Sequence, residues 1–169
     1  MTPIIHFRKH LTAPLPAAVA PGFQVRTLRV PEDVPAWLAL RERAMAEERP
    51  APRIWTTAEF RREMTGKSWW REDWSWVVVS TDDPQSLIGA VTLALREGAE
   101  STVPVVHWLL VDPAFRRRGI ARLLMSHLEQ AAWDAGWREV RLETHTGWSA
   151  AVVFYQSMGY AAPRDRSPR

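Results

Sequence analysis

Cysteine is absent from this 169-residue chain. That removes disulfide staples, thiolate metal sites and any thiol nucleophile together. Lysine is scarce as well: Lys9 and Lys67 stand against 20 arginines, and the 22 basic residues exceed the 19 acidic ones by only three. A balance of +3 without a basic stripe argues against a nucleic-acid binder. No apolar run approaches the roughly 18 residues that a membrane-spanning helix needs. The start does not read as a secretory leader, and none is expected, because Arg8, Lys9 and His10 follow Ile4 and Ile5 instead of preceding them, and Pro14, Pro16 and Pro21 break what comes next. The expectation is a cytoplasmic protein with no membrane contact. What remains, 46% apolar and 24% charged, is the composition of an ordinary globular chain, and its length suits one domain.

The segmentation follows from periodicity. Residues 1–22 read as an N-terminal extension, a short apolar segment at Ile4–Leu11 and then a proline-rich connector. Residues 23–160 form the domain, and 161–169 a polar tail. Phe23–Arg29 alternates as a strand. Pro31, Glu32 and Asp33 open a helix carrying Val34, Trp37, Leu38, Arg41 and Met45, which Pro50 and Pro52 stop. Thr56-x-x-Glu59 is a capping box for a second helix through Met64. Trp74–Thr81 and Leu87–Arg96 read as strands joined at Asp82-Asp83-Pro84. Val103–Val111, nearly all apolar, reads as a central strand covered on both faces. Ile120–Ala135 is an amphipathic helix ended by Gly136. Trp137–Thr146 alternates again, with Val140, Leu142 and Thr144 facing one way and Arg141, Glu143 and His145 the other. Ser149–Met158 closes as a helix before Gly159. The order from residue 23 is β-α-α-β-β-β-α-β-α, a mixed α/β class.

Chemistry concentrates between Val103 and Leu124. A buried strand ends at Asp112-Pro113, since proline has no N–H for the ladder. Ala-Phe-Arg-Arg-Arg-Gly-Ile-Ala then leads into a helix. Gly119 leaves room for a ligand at the helix start, where unpaired N–H groups and the helix dipole favour an anion. Arg116, Arg117, Arg118 and Arg122 add positive charge around it, so a phosphate group fits. Neither the Walker pattern nor the three-glycine dinucleotide fingerprint is present.

Arg116-x-x-Gly119-x-Ala121 after a strand ending in Val-Asp-Pro instead resembles the coenzyme A pyrophosphate loop of the GNAT superfamily of N-acetyltransferases. Ala151-x-x-Phe154-Tyr155-x-x-x-Gly159-Tyr160 is similar to that family's C-terminal helix motif. The resemblance implies a twisted mixed sheet of about six or seven strands flanked by helices. It implies acetyl-CoA as co-substrate, no metal, and a small-molecule or peptide amine as acceptor. It places the pyrophosphate on Arg116–Arg118, Gly119, Ile120, Ala121 and Arg122. It implies that the backbones of Leu109, Leu110 and Val111 are splayed from a parallel strand, 137–146, to take the pantetheine arm. A free N–H in this stretch would stabilise the oxyanion. Tyr155 corresponds to the acid that protonates the departing thiolate. Glu143 is the first choice of base for the amine, His107 the second and His145 the third. Where the family commonly has an asparagine against the pantetheine, this chain has Trp148. The usual C-terminal hairpin is expected to be truncated, and Ile4–Leu11 to cover a sheet edge as an extra strand.

Ten tryptophans are unusual in such a chain, and six of them lie between positions 37 and 76. Trp69, Trp70, Trp74 and Trp76 are divided between two readings, an acceptor slot that attracts ammonium groups and a contact between two copies of the chain, a homodimer. Trp37 and Trp76 read as core. Peptide N-termini, lysine side chains, aminoglycosides, polyamines and small amines all stay open as acceptors. The leading function is an N-acetyltransferase working by direct attack in a ternary complex; the alternative is a non-catalytic acyl-CoA sensor on the same fold.

Overall fold

The computed structural model describes residues 3–15, 18–97 and 101–163. Strands β1 (Ile4–His10), β2 (Phe23–Thr27), β3 (Ser75–Ser80), β4 (Leu87–Glu97), β5 (Thr102–Val111) and β6 (Glu139–His145) form one sheet in the order β1-β6-β5-β4-β3-β2. All neighbours are antiparallel except β5 and β6, which run parallel. Helices α1 (Val34–Ala44), α2 (Thr57–Phe60), α3 (Ile120–Asp134) and α4 (Ser149–Ser157) complete the chain. Among the described residues no helix is long and apolar enough to cross a membrane.

The two faces of the sheet carry separate cores. Alternation along β3 sends Val78 to the α3 side and Val77 and Val79 to the α1 side, as a period of two requires. On one face Ile120, Leu124 and Leu128 of α3 meet Ile88, Val91, Val106, Val140 and Leu142. On the other, Trp37 and Leu40 of α1 meet Phe60, Met64, Leu87 and Ala90. α3 lies very close to β4, because Gly89 has no side chain to hold it off; a Cβ there would sit 2.7 Å from Ile120 Cγ2.

The N-terminal segment pairs along its full length with β6, Ile4 opposite His145 and His10 opposite Glu139. Among the described residues its far edge meets only Ala161, which makes an isolated bridge to Arg8 after α4. Lys9 fastens the strand to the core. Its Nζ lies 2.6 Å from Glu129 Oε2 on α3, and the other Glu129 oxygen accepts from the Tyr160 hydroxyl at 2.9 Å. Glu129 is completely buried, so these two partners answer for a carboxylate that would otherwise be costly to desolvate.

Two expectations need correction. The second helix has the capping box of Thr56 and Glu59, but after Phe60 it widens into a turn in which the Gly66 N–H reaches back five residues to the Arg61 carbonyl at 2.7 Å. It is thus one turn followed by a π-type turn, a geometry that periodicity does not reveal. Val103–Val111 is central in strand order, yet most of its side chains are only half-buried. The reason is that β5 pulls away from β6, which leaves open space where a covered strand would be sealed.

Candidate active site

The opening begins with a bulge. Ala90 faces Leu110 and Thr92 faces His107, so two steps on β4 match three on β5. The surplus residue is Trp108, whose φ of +53° is left-handed. A bulge of this kind bends the strand and redirects side chains. Here it brings the rings of consecutive residues His107 and Trp108 to 5.7 Å from each other and swings the rest of β5 outward. In consequence β5 and β6 share one registered pair, Val105 with Arg141. From Val106 to Val111 the edge of β5 facing β6 has no strand partner among the described residues. Sequence reasoning missed Trp108, since nothing in a run of apolar residues marks where a bulge will fall.

The cleft between the splayed strands has a volume of about 620 Å³. Leu109, Leu110 and Val111 line one wall, Glu143 and Thr144 the other, and Trp148, Ala151 and Tyr155 close the end. Arg116 and Ala121 come in from the loop and α3. The loop does what its sequence requires locally. Asp112 ends β5, accepts from the Ala114 N–H at 2.9 Å and from Arg43 Nε at 2.7 Å, and so ties the loop to α1. Arg117 and Gly119 both take left-handed backbone, with φ of +62° and +81°. Gly119 is the N-cap of α3 and supplies no side-chain cap. The first intrahelical bond runs from the Leu123 N–H to the Gly119 carbonyl, so the amides of Ile120, Ala121 and Arg122 precede it and remain available.

The arginines fan apart instead of ringing that terminus. Arg116 donates to the Ala44 carbonyl at 3.3 Å and lies 3.4 Å from Glu47. Arg118 sits over the edge-to-face pair Phe23 and Phe115. Arg122 reaches the Ser157 and Met158 side chains at the end of α4. Arg117, Arg118, Gly119, Ile120 and Arg122 do not line the cleft, and the Ile120 side chain is core. What that stretch offers an anion is its main chain.

Tyr155 is buried, and burial pushes its phenol above the ordinary range, so it keeps its proton at neutral pH. No described residue bonds its hydroxyl, whereas the hydroxyl of Tyr160 is committed to Glu129. Glu143 stands 47% exposed on β6, its Oε1 3.5 Å from His6 Nδ1 of the paired strand. Trp148 precedes α4, 38% exposed, with its ring edge-on to His145 at 4.5 Å.

His107 does not face this cleft. It borders a second cavity of about 600 Å³, beside Trp55, Trp69, Lys67 and Arg96. Burial first, then the nearby charges of Arg96 and Lys67, lower its pKa from 6.5 to about 4. A smaller space of about 290 Å³, bordered by His107, Trp108, Glu143 and Trp148, lies between them and shares lining residues with both. Trp108 lines all three. Of the expected tryptophans only Trp69 borders the second cavity. Trp70 packs edge-on to Phe60, Trp74 lies beneath Arg71, and Trp76 and Trp37 are core. Trp55, which periodicity leaves in a loop, replaces them.

A model of the acetyltransferase (GNAT) family matches residues 37–160. The mycothiol acetyltransferase of Thermobispora bispora is 30% identical over 158 residues, which cover 90% of this chain and 52% of that protein. The chain thus spans about half the length of the mycothiol acetyltransferases it matches. Among solved structures, a GCN5-related N-acetyltransferase from Sphaerobacter thermophilus superposes with a TM-score of 0.66 at 22% identity, covering 98% of this chain and 45% of the other. An aminoglycoside acetyltransferase from an uncultured soil metagenomic sample gives 0.61 at 19% identity, covering 88% and 92%. At these identities the two structures bear on the fold alone.

Proposed function

Since the chain belongs to the acetyltransferase (GNAT) family, we propose that it moves an acetyl group from acetyl-CoA to a primary amine by direct attack in a ternary complex. The observation that carries the reading is the unpaired edge of β5, opened by the Trp108 bulge and running toward the uncapped start of α3. A main-chain edge of this kind takes an extended ligand as an added strand, and amides at a helix start take a phosphate. When bound, acetyl-CoA supplies an acetyl group activated as a thioester and a thiol as leaving group.

The chain's own residues supply the rest. Leu109–Val111 hold the pantetheine arm through their backbones, and the amides of Ile120–Arg122 hold the pyrophosphate with Arg116 beside them. An alkylammonium has a pKa near 10.4 and must lose a proton before its nitrogen can attack. Glu143, at the junction of the cleft and the connecting space, accepts that proton. A free N–H of the splayed strand carries the negative charge that develops on the carbonyl oxygen as the C–N bond forms. Tyr155 gives its proton to sulfur as the C–S bond breaks. His107 does not border the cleft and takes no proton in this scheme.

The test has two stages. Coenzyme A at about a hundred times its Kd should add about 2.7 kcal/mol of stability, raising Tm by about 5–10 °C. Acetyl-CoA with a panel of amines should then release free thiol in proportion to acetylated amine. Stabilisation by coenzyme A with no thiol released for any amine would replace this reading with a non-catalytic sensor, and no stabilisation would remove both.

A further inference from the structure

The cavity beside His107 has a chemical character of its own. Its walls are the indoles of Trp55, Trp69 and Trp108, and its charged residues are Lys67, Arg71 and Arg96 against Glu63 and Glu97. Glu63 is already engaged, 2.7 Å from Arg62 Nε and 3.4 Å from Lys67 Nζ. Among the described residues neither Arg71 nor Arg96 forms an ion pair with a carboxylate, and Glu97, which borders the same cavity, is likewise without one. Arg71 lies over the Trp74 ring at 4.9 Å, and Arg96 Nη2 is 3.3 Å from His107 Nδ1. A guanidinium can only donate, so Nδ1 accepts and the ring proton belongs to Nε2. His107 is therefore a neutral donor held in place by Arg96. Its depressed pKa, owed after burial to Arg96 and Lys67, reports a positive field at the inner end of the cavity. Behind the indoles, the buried Arg41 guanidinium lies 4.2 Å from the Trp55 ring and 5.0 Å from that of Trp108, with its Nε unpartnered.

We propose that this cavity is the acceptor site and that it selects amines carrying a carboxylate on an apolar or aromatic frame. The assignment rests on the amine-acetylation reading above and adds the substrate class to it. Arg96 and the His107 Nε2–H hold the carboxylate, the indoles hold the frame, and the amine points through the connecting space toward Glu143 and the cleft. Polyamines and aminoglycosides are disfavoured, since they would set several ammonium groups among Lys67, Arg71 and Arg96.

Phenylalanine, phenylalaninamide, phenethylamine and spermidine, each with saturating acetyl-CoA, test the assignment. The amide loses its ammonium proton more readily than the acid does, so intrinsic reactivity works against the expected order. A charge-assisted hydrogen bond corresponds to a preference of about ten- to a hundredfold. The kcat/KM of phenylalanine should exceed that of its amide by this factor. Arg96→Gln should bring the ratio close to one. Equal or better turnover of the amide or of spermidine would overturn the assignment and leave amine acetylation standing. Should no amine be turned over, amine acetylation itself fails, and calorimetry of the CoA-bound protein decides the cavity. Tighter binding of N-acetylphenylalanine than of its amide, lost in Arg96→Gln, supports the carboxylate-binding site; equal binding or none overturns it.

Discussion

The chain has two tyrosines, and their surroundings give them opposite capacities. Burial pushes both phenols up, and in Tyr160 the Glu129 carboxylate adds to the effect. Tyr160 spends its hydroxyl on that carboxylate, while Tyr155 presents its own to the cleft. Tyr155→Phe keeps the packing and removes only the proton donor. It should lower kcat by about 10²- to 10⁴-fold with coenzyme A affinity unchanged, as steady-state kinetics and a binding titration would show. Loss of affinity in parallel with rate would mean that the hydroxyl binds and does not catalyse. His107 yields a prediction of a different kind. Its pKa falls from 6.5 to about 4 on folding, so below pH 6.5 the unfolded chain takes up the proton first. The contribution of the neutral ring to stability is whole above pH 6.5 and is lost as pH falls toward 4. Urea midpoints measured across that window should decline less steeply for His107→Gln than for the parent. Identical slopes would show that the ring is not held neutral.

At the scale of elements, β1 is tied to α3 by one half-buried cation, Lys9. Lys9→Met removes the partner of a carboxylate that has no exposure, leaving it only the Tyr160 hydroxyl. Breaking a buried pair from one side costs about 3–5 kcal/mol, which equilibrium unfolding would read. The double variant Lys9→Met, Glu129→Gln should recover much of that loss, since the stranded charge is then gone. This anchor could not be read from the sequence, where Lys9 looks like one charge in a basic cluster and Glu129 like the polar side of an amphipathic helix. What could be read were elements with strong local signals: the alternation of β6, the stripe of α3 up to Gly136, and the Asp112-Pro113 stop. The bulge at Trp108 and the π-type turn after Phe60 were hidden, because both depend on how neighbouring strands and helices meet and not on the residues that form them. The same limit explains the tryptophans. Their number drew attention to an acceptor wall or a contact between copies, but which indoles border the cavity beside His107 depends on the bulge, and so Trp55 and Trp108 stand there where Trp70 and Trp74 were expected.

At the scale of the molecule, the sheet is sealed on both faces at β3 and β4 and open between β5 and β6. Two strongly packed cores hold the frame, and the gap is produced by a single surplus residue in β5. The aromatic cavity, the connecting space and the cleft follow one another across this gap, with Trp108 common to all. The proposed acid, the proposed base and the free main-chain edge therefore all lie around one discontinuity in an otherwise regular sheet. The measurement closest to this idea is amide hydrogen exchange with and without coenzyme A. The account predicts that binding slows exchange in two separate segments, Val106–Val111 and Gly119–Arg122, with little change in β2 and β3. Tight binding that leaves both segments exchanging as before, or that protects only the face covered by α1, would contradict it.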